Sequence, residues 1–170
     1  MAVSLYTFVD LYSRALDTAA HILDKGAAHA SAIGVTEAEM LDWRLIDDMQ
    51  PLRFQLMVVC NFSRQWPARV AGLPVPADIG SDLDLAGFRA AVAEAKTYLA
   101  AFTPEQFEGR DDAPLTVSIG SGQMEPTLAA GRWLTVFSTT NLYFHLSTAY
   151  GILRAKGVPL GKVDLFAGGL

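Results

Sequence analysis

The chain has 170 residues, a length that suits one domain with a substantial core. Hydrophobic residues make up 51% and charged residues 18%, which excludes an intrinsically disordered chain and favours extensive burial between helices or subunits. The net charge of -5, without a cluster of Lys or Arg, argues against a nucleic-acid partner, because contact with phosphates needs a basic surface.

Three further features exclude classes of protein. Cys60 is the only cysteine, so the chain forms neither an internal disulfide nor a cysteine-based zinc site. No apolar run reaches the roughly 18 residues of a membrane span, so we expect no membrane partner. The N-terminal segment lacks the basic start of a secretory signal, and the sequence therefore predicts a cytoplasmic protein.

Helical spacing of apolar residues predicts a first helix from about Ser4 to Ala30. After it, Thr36 and Glu39 form a capping-box pattern, in which each residue satisfies a backbone N–H of the other. This pattern predicts a short helical segment that continues through Leu45.

A second long helix is predicted to start near Asp48, with Pro51 in its first turn, where proline is tolerated. Its stretch Leu56–Cys60 is apolar on all sides, which indicates a helix in the middle of a bundle. Pro67 should kink or interrupt this helix, and the segment Gly72–Pro76 should end it.

A third helix is predicted from a cap at Ser81 or Asp82 to about Ala101. The segment Thr103–Gln106 is a further helix start, and we expect it to form a single turn.

The hydrophobic period changes before the last helix. The segment Leu115–Ile119 alternates, and Arg132–Phe137 is rich in residues that favour strands, so a small β-hairpin is predicted. The last helix is predicted over Thr140–Lys156, with Gly157 as its left-handed cap. The fold is therefore an all-α four-helix bundle, with a β-hairpin insertion before the last helix, in a single domain over residues 1–170.

The last helix carries a polar residue in its apolar stripe. His145 has the same helical spacing as Leu142, Leu146 and Ala149, so its side chain should turn toward the core. An imidazole in that position needs a polar partner. It is either a core histidine bonded to a neighbouring helix, or a ligand or general acid–base group.

Three other polar residues complete a candidate pocket with His145. Asp48 and Gln55 are two turns apart on the predicted second helix, and His29 lies beside the apolar stripe of the first. In a metal site, His145, His29 and Asp48 would be the ligands and Gln55 a substrate or outer contact, with zinc or nickel as the ion. The same residues could instead form a closed hydrogen-bond network that fixes helix register.

A second stripe on the last helix contains Tyr143, Tyr150 and Arg154. Tyrosine and arginine are enriched at interfaces, so this stripe predicts the contact of a homodimer, or else an anchor for the segment after Gly157. His21, on the first helix, shares a face with charged residues, and we expect it to be solvated.

Two segments resemble one known family. Trp43–Gly72 resembles the Arg-Leu-x-x-Asp-Met…Pro-Leu…Gln stretch of the domain of unknown function 1993 family. Asn141–Gly168 resembles its closing pattern Asn-x-x-Phe-His-x-x-Thr-Ala-Tyr-x-Ile-Leu-Arg…Gly-Val-Pro-Leu-Gly-Lys-x-Asp. Lys25 and His29 also fit the first helix of that family.

The family is similar in fold to the DinB/YfiT-like group of four-helix bundles, which are often dimeric. Many of those proteins bind a divalent metal through three histidines, and some are thiol-dependent transferases. The resemblance therefore implies the bundle, a dimer and a metal-dependent small-molecule enzyme, either a transferase or a hydrolase. The chain departs from the group at Ala149, where a second histidine four residues after His145 is usual.

Three functions stay open. The protein is a bundle with a polar ligand pocket around His145 and without the complete three-histidine site, or a metal-dependent enzyme, or a structural or interaction protein acting as a homodimer. A shared fold does not choose between them.

Overall fold

The computed structural model describes residues 4–120 and 122–169. Its helices are α1 (Thr7–Ala32), α2 (Glu37–Leu41), α3 (Leu52–Ala71), α4 (Leu85–Ala100), α5 (Ala130–Arg132) and α6 (Thr139–Ala155). The remaining elements are the antiparallel strands β1 (Pro114–Thr116) and β2 (Thr127–Ala129), the 3-10 turns Pro104–Phe107 and Lys162–Phe166, and the π-helix Trp133–Ser138. The predicted all-α bundle with a small hairpin before the last helix is confirmed.

Helices α1 and α4 run antiparallel, with charged pairs along one side. Asp24 accepts hydrogen bonds from Arg89, at 2.7 Å from Nη2, and Asp17 accepts one from Lys96. The two aspartates are seven residues apart on α1, and the two basic residues are seven residues apart on α4. Seven residues correspond to two helical turns, so both pairs lie on the same side of the helices. Exposed pairs of this kind contribute about 1 kcal/mol at most, and the apolar side chains between the helices contribute most of the stability.

Helices α3 and α6 also run antiparallel, and aromatic residues mark their register. The rings of Phe62 and Phe137 stack at 6.3 Å between centroids, and those of Trp66 and Trp133 at 5.3 Å. The π-helix Trp133–Ser138 and α6 form one continuous helical run. A step of four residues forward along α3, from Phe62 to Trp66, therefore matches a step of four residues backward along this run, from Phe137 to Trp133. The same register brings Gln55 on α3 to His145 on α6.

The second long helix starts later than the sequence predicted. Pro51 is its N-cap residue, with extended backbone angles, and α3 begins at Leu52. The backbone N–H of Leu52 donates to the carbonyl of Trp43 at 2.8 Å, which closes the preceding segment into a loop. Asp48 therefore lies in an exposed turn, and the prediction that it shares a helix with Gln55 is wrong.

Local signals determine two other helix boundaries, the end of α3 and the start of α4. Helix α3 continues through Pro67 without interruption and ends at Ala71, just before the segment predicted to end it, because Gly72 caps it in the left-handed conformation with a φ of 73°. Helix α4 is capped by Asp84 rather than by Ser81 or Asp82, because the Asp84 carboxylate accepts the Gly87 N–H at 2.7 Å.

The second strand of the hairpin differs from the prediction. Leu115 pairs with Leu128 on β2, whereas the predicted strand Arg132–Phe137 is largely π-helical. Helical spacing puts Trp133 and Phe137 on one side, with their ring centroids 5.1 Å apart, where both meet Trp66. Packing against α3 thus overrides the strand preference of this segment.

Within residues 4–120 and 122–169, no helix has both the length and the apolar character that crossing a membrane requires.

Candidate functional site

His145 lies on α6 at the edge of its contact with α3 and is partly buried. Its Nδ1 is 2.7 Å from Oε1 of Gln55, a side chain with only 3% of its surface exposed. The amide Nε2 of Gln55 in turn donates to the backbone carbonyl of Gln50 at 2.9 Å. A chain of two hydrogen bonds therefore joins the imidazole to the loop before α3.

This chain determines where the imidazole carries its proton. The Gln50 carbonyl can only accept, so the NH₂ group of Gln55 must face it, and Oε1 must face His145. Oε1 can also only accept, so Nδ1 of His145 must carry the hydrogen. In neutral His145, the lone pair is consequently on Nε2.

The surroundings of His145 favour its neutral form. Burial lowers the pKa of His145, because the charged imidazolium loses hydration. The ring of Phe54 lies 5.9 Å and that of Phe144 lies 5.1 Å from the imidazole, measured between centroids. No hydrogen bond to Nε2 comes from residues 4–120 or 122–169, so this nitrogen can accept one from a ligand, take a proton or bind a metal.

The structure brings Gln55 and His145 together and separates His29 from them, whereas Asp48 has no hydrogen bond or ion pair with any of these three described residues. Nε2 of His29 is 3.1 Å from the carbonyl of Lys156, at the C-terminal end of α6. Lys156 comes eleven residues after His145, which corresponds to about 16 Å of helix at about 1.5 Å per residue. Asp48 lies in the exposed turn before α3.

The predicted zinc or nickel site does not assemble from these residues. When two imidazoles bind one ion, each binding nitrogen lies about 2.1 Å from it, so the two rings must be close together. His29 and His145 are much too far apart for that. Within the described residues, no three His, Cys, Asp or Glu side chains are grouped so that they could hold a metal ion. The residues present therefore do not fit the three-ligand set.

His29 belongs instead to a polar stripe on α1 that holds the C-terminal segment. The stripe recurs every three or four residues, so its members share one side of the helix. Its contacts are Arg14 Nη1 to the Gly168 carbonyl (3.3 Å), Thr18 Oγ1 to the Leu165 carbonyl (3.1 Å), His21 Nε2 to Asp164 (2.6 Å), Lys25 Nζ to Asp164 (2.9 Å) and His29 to Lys156. The His21 side chain is 39% exposed, in line with the expected contact with solvent, but it is also bonded to the C-terminal segment, which the sequence did not predict.

Asp164 is the centre of this attachment. Its Oδ2 accepts the Gly161 N–H at 2.6 Å, and its Oδ1 accepts from His21 and Lys25. The Gly161 N–H, followed by His21 and Lys25, holds the pKa of Asp164 well below its usual range. The sequence analysis did not find this cluster, although the regular spacing of polar residues on α1 is a signal that could have revealed it.

The predicted interface stripe on α6 divides between two environments. Arg154 Nη1 donates to the Val158 carbonyl at 3.1 Å, so it anchors the segment after Gly157. Tyr150 is partly buried against the core, whereas Tyr143 is 39% exposed. Tyr143 also lines a mostly apolar cleft of about 390 Å³ between α1, α6 and the C-terminal segment.

The chain is similar to the crystal structure of a DinB family member protein from Shewanella denitrificans, with 32% sequence identity and a TM-score of 0.81. The similarity covers 95% of this chain and 90% of that one. A comparison with curated proteins found no match. The family model of the domain of unknown function DUF1993 matches residues 5–166, and the chain belongs to this family, within the DinB-like group.

Proposed function

We propose that the protein is a binding module whose site is the imidazole of His145. One observation carries this proposal: the Gln50 carbonyl and Gln55 fix the proton of His145 on Nδ1, and Nε2 has no partner among the described residues. A partly buried acceptor of this kind gains a hydrogen bond when a ligand donates to it.

The neighbours of His145 support binding more than catalysis. In the described part of the chain, the imidazole makes one hydrogen bond, with the amide of Gln55, and two ring contacts, with Phe54 and Phe144. A general base acts on a nucleophile or a substrate proton with help from a second polar group that stabilises charge. Phenyl rings do not supply that second group, but they do supply contact area for a ligand.

The test is a ligand-observed NMR screen with a library of small neutral, anionic and cationic aromatic fragments. We expect a set of fragments that bind the wild-type protein and the His29→Ala variant but not His145→Ala. His29→Ala is the matched control, because it removes an imidazole that contacts the C-terminal end of the same helix. Equal binding by His145→Ala, with its fold verified by circular dichroism, would contradict the proposal.

A homodimer is the second candidate, and two exposed side chains favour it. Phe144 on α6 is 59% exposed, and Val136 in the π-helix before α6 is 57% exposed. Large apolar side chains that are exposed on one helical run can form the contact with a second subunit. Such a contact would also cover part of the surface around His145, because Phe144 is its neighbour in sequence and in space.

A further inference from the structure

We propose that the His145 site selects ligands that donate a hydrogen bond, namely O–H or N–H groups on a flat aromatic body, and that Gln55 is the residue that sets this preference. The inference rests on the binding function proposed above and names the chemical class of the ligand.

The direction of the hydrogen bond follows from the backbone. The carbonyl of Gln50 cannot reverse its role, so the amide of Gln55 cannot turn over without placing two acceptors against each other. Nδ1–H of His145 is therefore the donor toward Gln55, and Nε2 meets the ligand with a lone pair. A carboxylate or an ether oxygen offers only another acceptor to that lone pair, whereas a hydroxyl or an N–H offers a hydrogen.

The aromatic part of the ligand follows from the neighbouring rings. Phe54 is tilted by 59° and Phe144 by 89° relative to the imidazole, at centroid distances typical of favourable aromatic pairs. Phe144 is largely exposed and lies beside the imidazole, so part of its ring surface is free to contact a further ring. A small phenol or azole can place its ring against Phe144 and its donor on His145.

Gln55 acts through His145 and is a positioning residue. Replacing it by methionine keeps the length of a side chain that is almost fully buried, but it removes the acceptor that holds the proton on Nδ1. In Gln55→Met, the proton can move to Nε2, which then donates instead of accepting. We expect the preference for donors to disappear in this variant.

The matched control is Gln65→Met. Gln65 is also a buried glutamine of α3, and it has no bond to His145. Its amide donates to the Pro76 carbonyl at 3.0 Å and to the Asp78 carboxylate at 2.7 Å, and its Oε1 accepts a hydrogen bond from Arg69 at 3.1 Å. Both variants remove a partly buried bond between an amide and a backbone carbonyl, and Gln65→Met also removes the contacts with Asp78 and Arg69. A general loss of stability should therefore affect both, whereas a change in ligand preference should affect Gln55→Met alone.

The experiment compares phenol, anisole and benzoate as probes, above about pH 7.5, where an imidazole with a pKa of about 6.5 or lower is neutral. The readout is the NMR shift of the His145 ring signals as each probe is titrated. We expect phenol to bind about tenfold more tightly than anisole, as one additional hydrogen bond allows, and benzoate to bind no better than anisole. The preference should persist in Gln65→Met and be lost in Gln55→Met.

The two ways of failing are distinguishable. If anisole or benzoate binds at His145 as well as phenol does, the site binds ligands but the preference for donors is wrong. An unchanged preference in Gln55→Met would remove the role of Gln55. If none of the three probes perturbs His145 at millimolar concentration, and the fragment screen is also negative, the proposed function fails together with this inference.

Discussion

Nζ of Lys25 lies 2.9 Å from Oδ1 of Asp164, and this contact joins the first helix to the segment that follows the last one. His21, one turn earlier on α1, shares the same carboxylate oxygen. Lys25 and Asp164 both belong to segments that resemble the family pattern. In the structure, their contact attaches the 3-10 turn Lys162–Phe166 to α1.

Replacing Asp164 by asparagine should destabilise the protein measurably, because it leaves Lys25 and His21 without their common acceptor charge. The measurement is the midpoint of urea denaturation. Asp24→Asn is the control: it breaks an exposed pair with Arg89 and should change stability by about 0.5 kcal/mol at most. Equal effects of the two variants would mean that the Asp164 cluster is no more than a surface pair.

The stabilising effect of Asp164 should depend on pH in a defined direction. Its pKa is lower in the folded state than in the unfolded state, so its contribution is complete above the unfolded value of about 3.9. The contribution is lost as the pH falls below that value toward the folded pKa. The difference in unfolding free energy between wild type and Asp164→Asn should therefore shrink below about pH 3.9. A difference that grows on acidification would contradict the assigned pKa direction.

Tyr12→Phe should destabilise the protein by about 1–3 kcal/mol, the range for leaving buried polar groups without a partner. The buried Tyr12 hydroxyl lies 2.7 Å from Ser138 Oγ and 3.2 Å from the Leu134 carbonyl, both in the π-helix. Burial raises the pKa of Tyr12 to about 12, so the hydroxyl stays a donor at every ordinary pH.

The control for this variant is Tyr150→Phe, because the Tyr150 hydroxyl has no hydrogen bond to residues 4–120 or 122–169. Urea denaturation should leave Tyr150→Phe close to wild type. Similar losses in both variants would indicate that the network around the π-helix contributes nothing specific.

Phe144→Ser should weaken self-association if the exposed part of α6 is the dimer contact. Removing a large apolar side chain from the centre of an interface commonly costs about 2 kcal/mol or more of binding free energy, about 30-fold in the dissociation constant. Sedimentation equilibrium of the wild type and the variant gives the comparison. Val163→Ser is the control, since Val163 is 79% exposed and belongs to the C-terminal segment rather than to α6. A wild-type protein that is monomeric at micromolar concentration would refute the dimer.

The fold was predictable where its signals are local. The capping box at Thr36 and Glu39 forms as predicted, and Gly72 and Gly157 both take the left-handed conformation that ends a helix. For Trp133, in contrast, the residues around it in the sequence predict a strand, which does not form. The conformation of Trp133 depends on Trp66, 67 residues earlier in the chain, and no local pattern contains that contact.

The candidate site was predictable in part for the same reason. Helical spacing predicted that His145 turns toward the core, and the structure has it partly buried with Gln55 on α3 as its partner. Periodicity gives no information on how far along the bundle two helices meet, so it could not separate His29 from His145. The role of the Gln50 carbonyl could not be predicted either, because no side-chain pattern indicates which backbone carbonyl of a loop accepts a hydrogen bond.

The central claim is that His145 presents an acceptor nitrogen at Nε2, and the tautomers of the three histidines test it most directly. Two-bond ¹H–¹⁵N NMR spectra above about pH 7.5 distinguish an imidazole protonated on Nδ1 from one protonated on Nε2. His29 must donate from Nε2 to the Lys156 carbonyl, and His21 from Nε2 to Asp164, so both serve as internal references. The account predicts Nδ1–H for His145 and Nε2–H for His21 and His29. A His145 protonated on Nε2 in the neutral protein would contradict it.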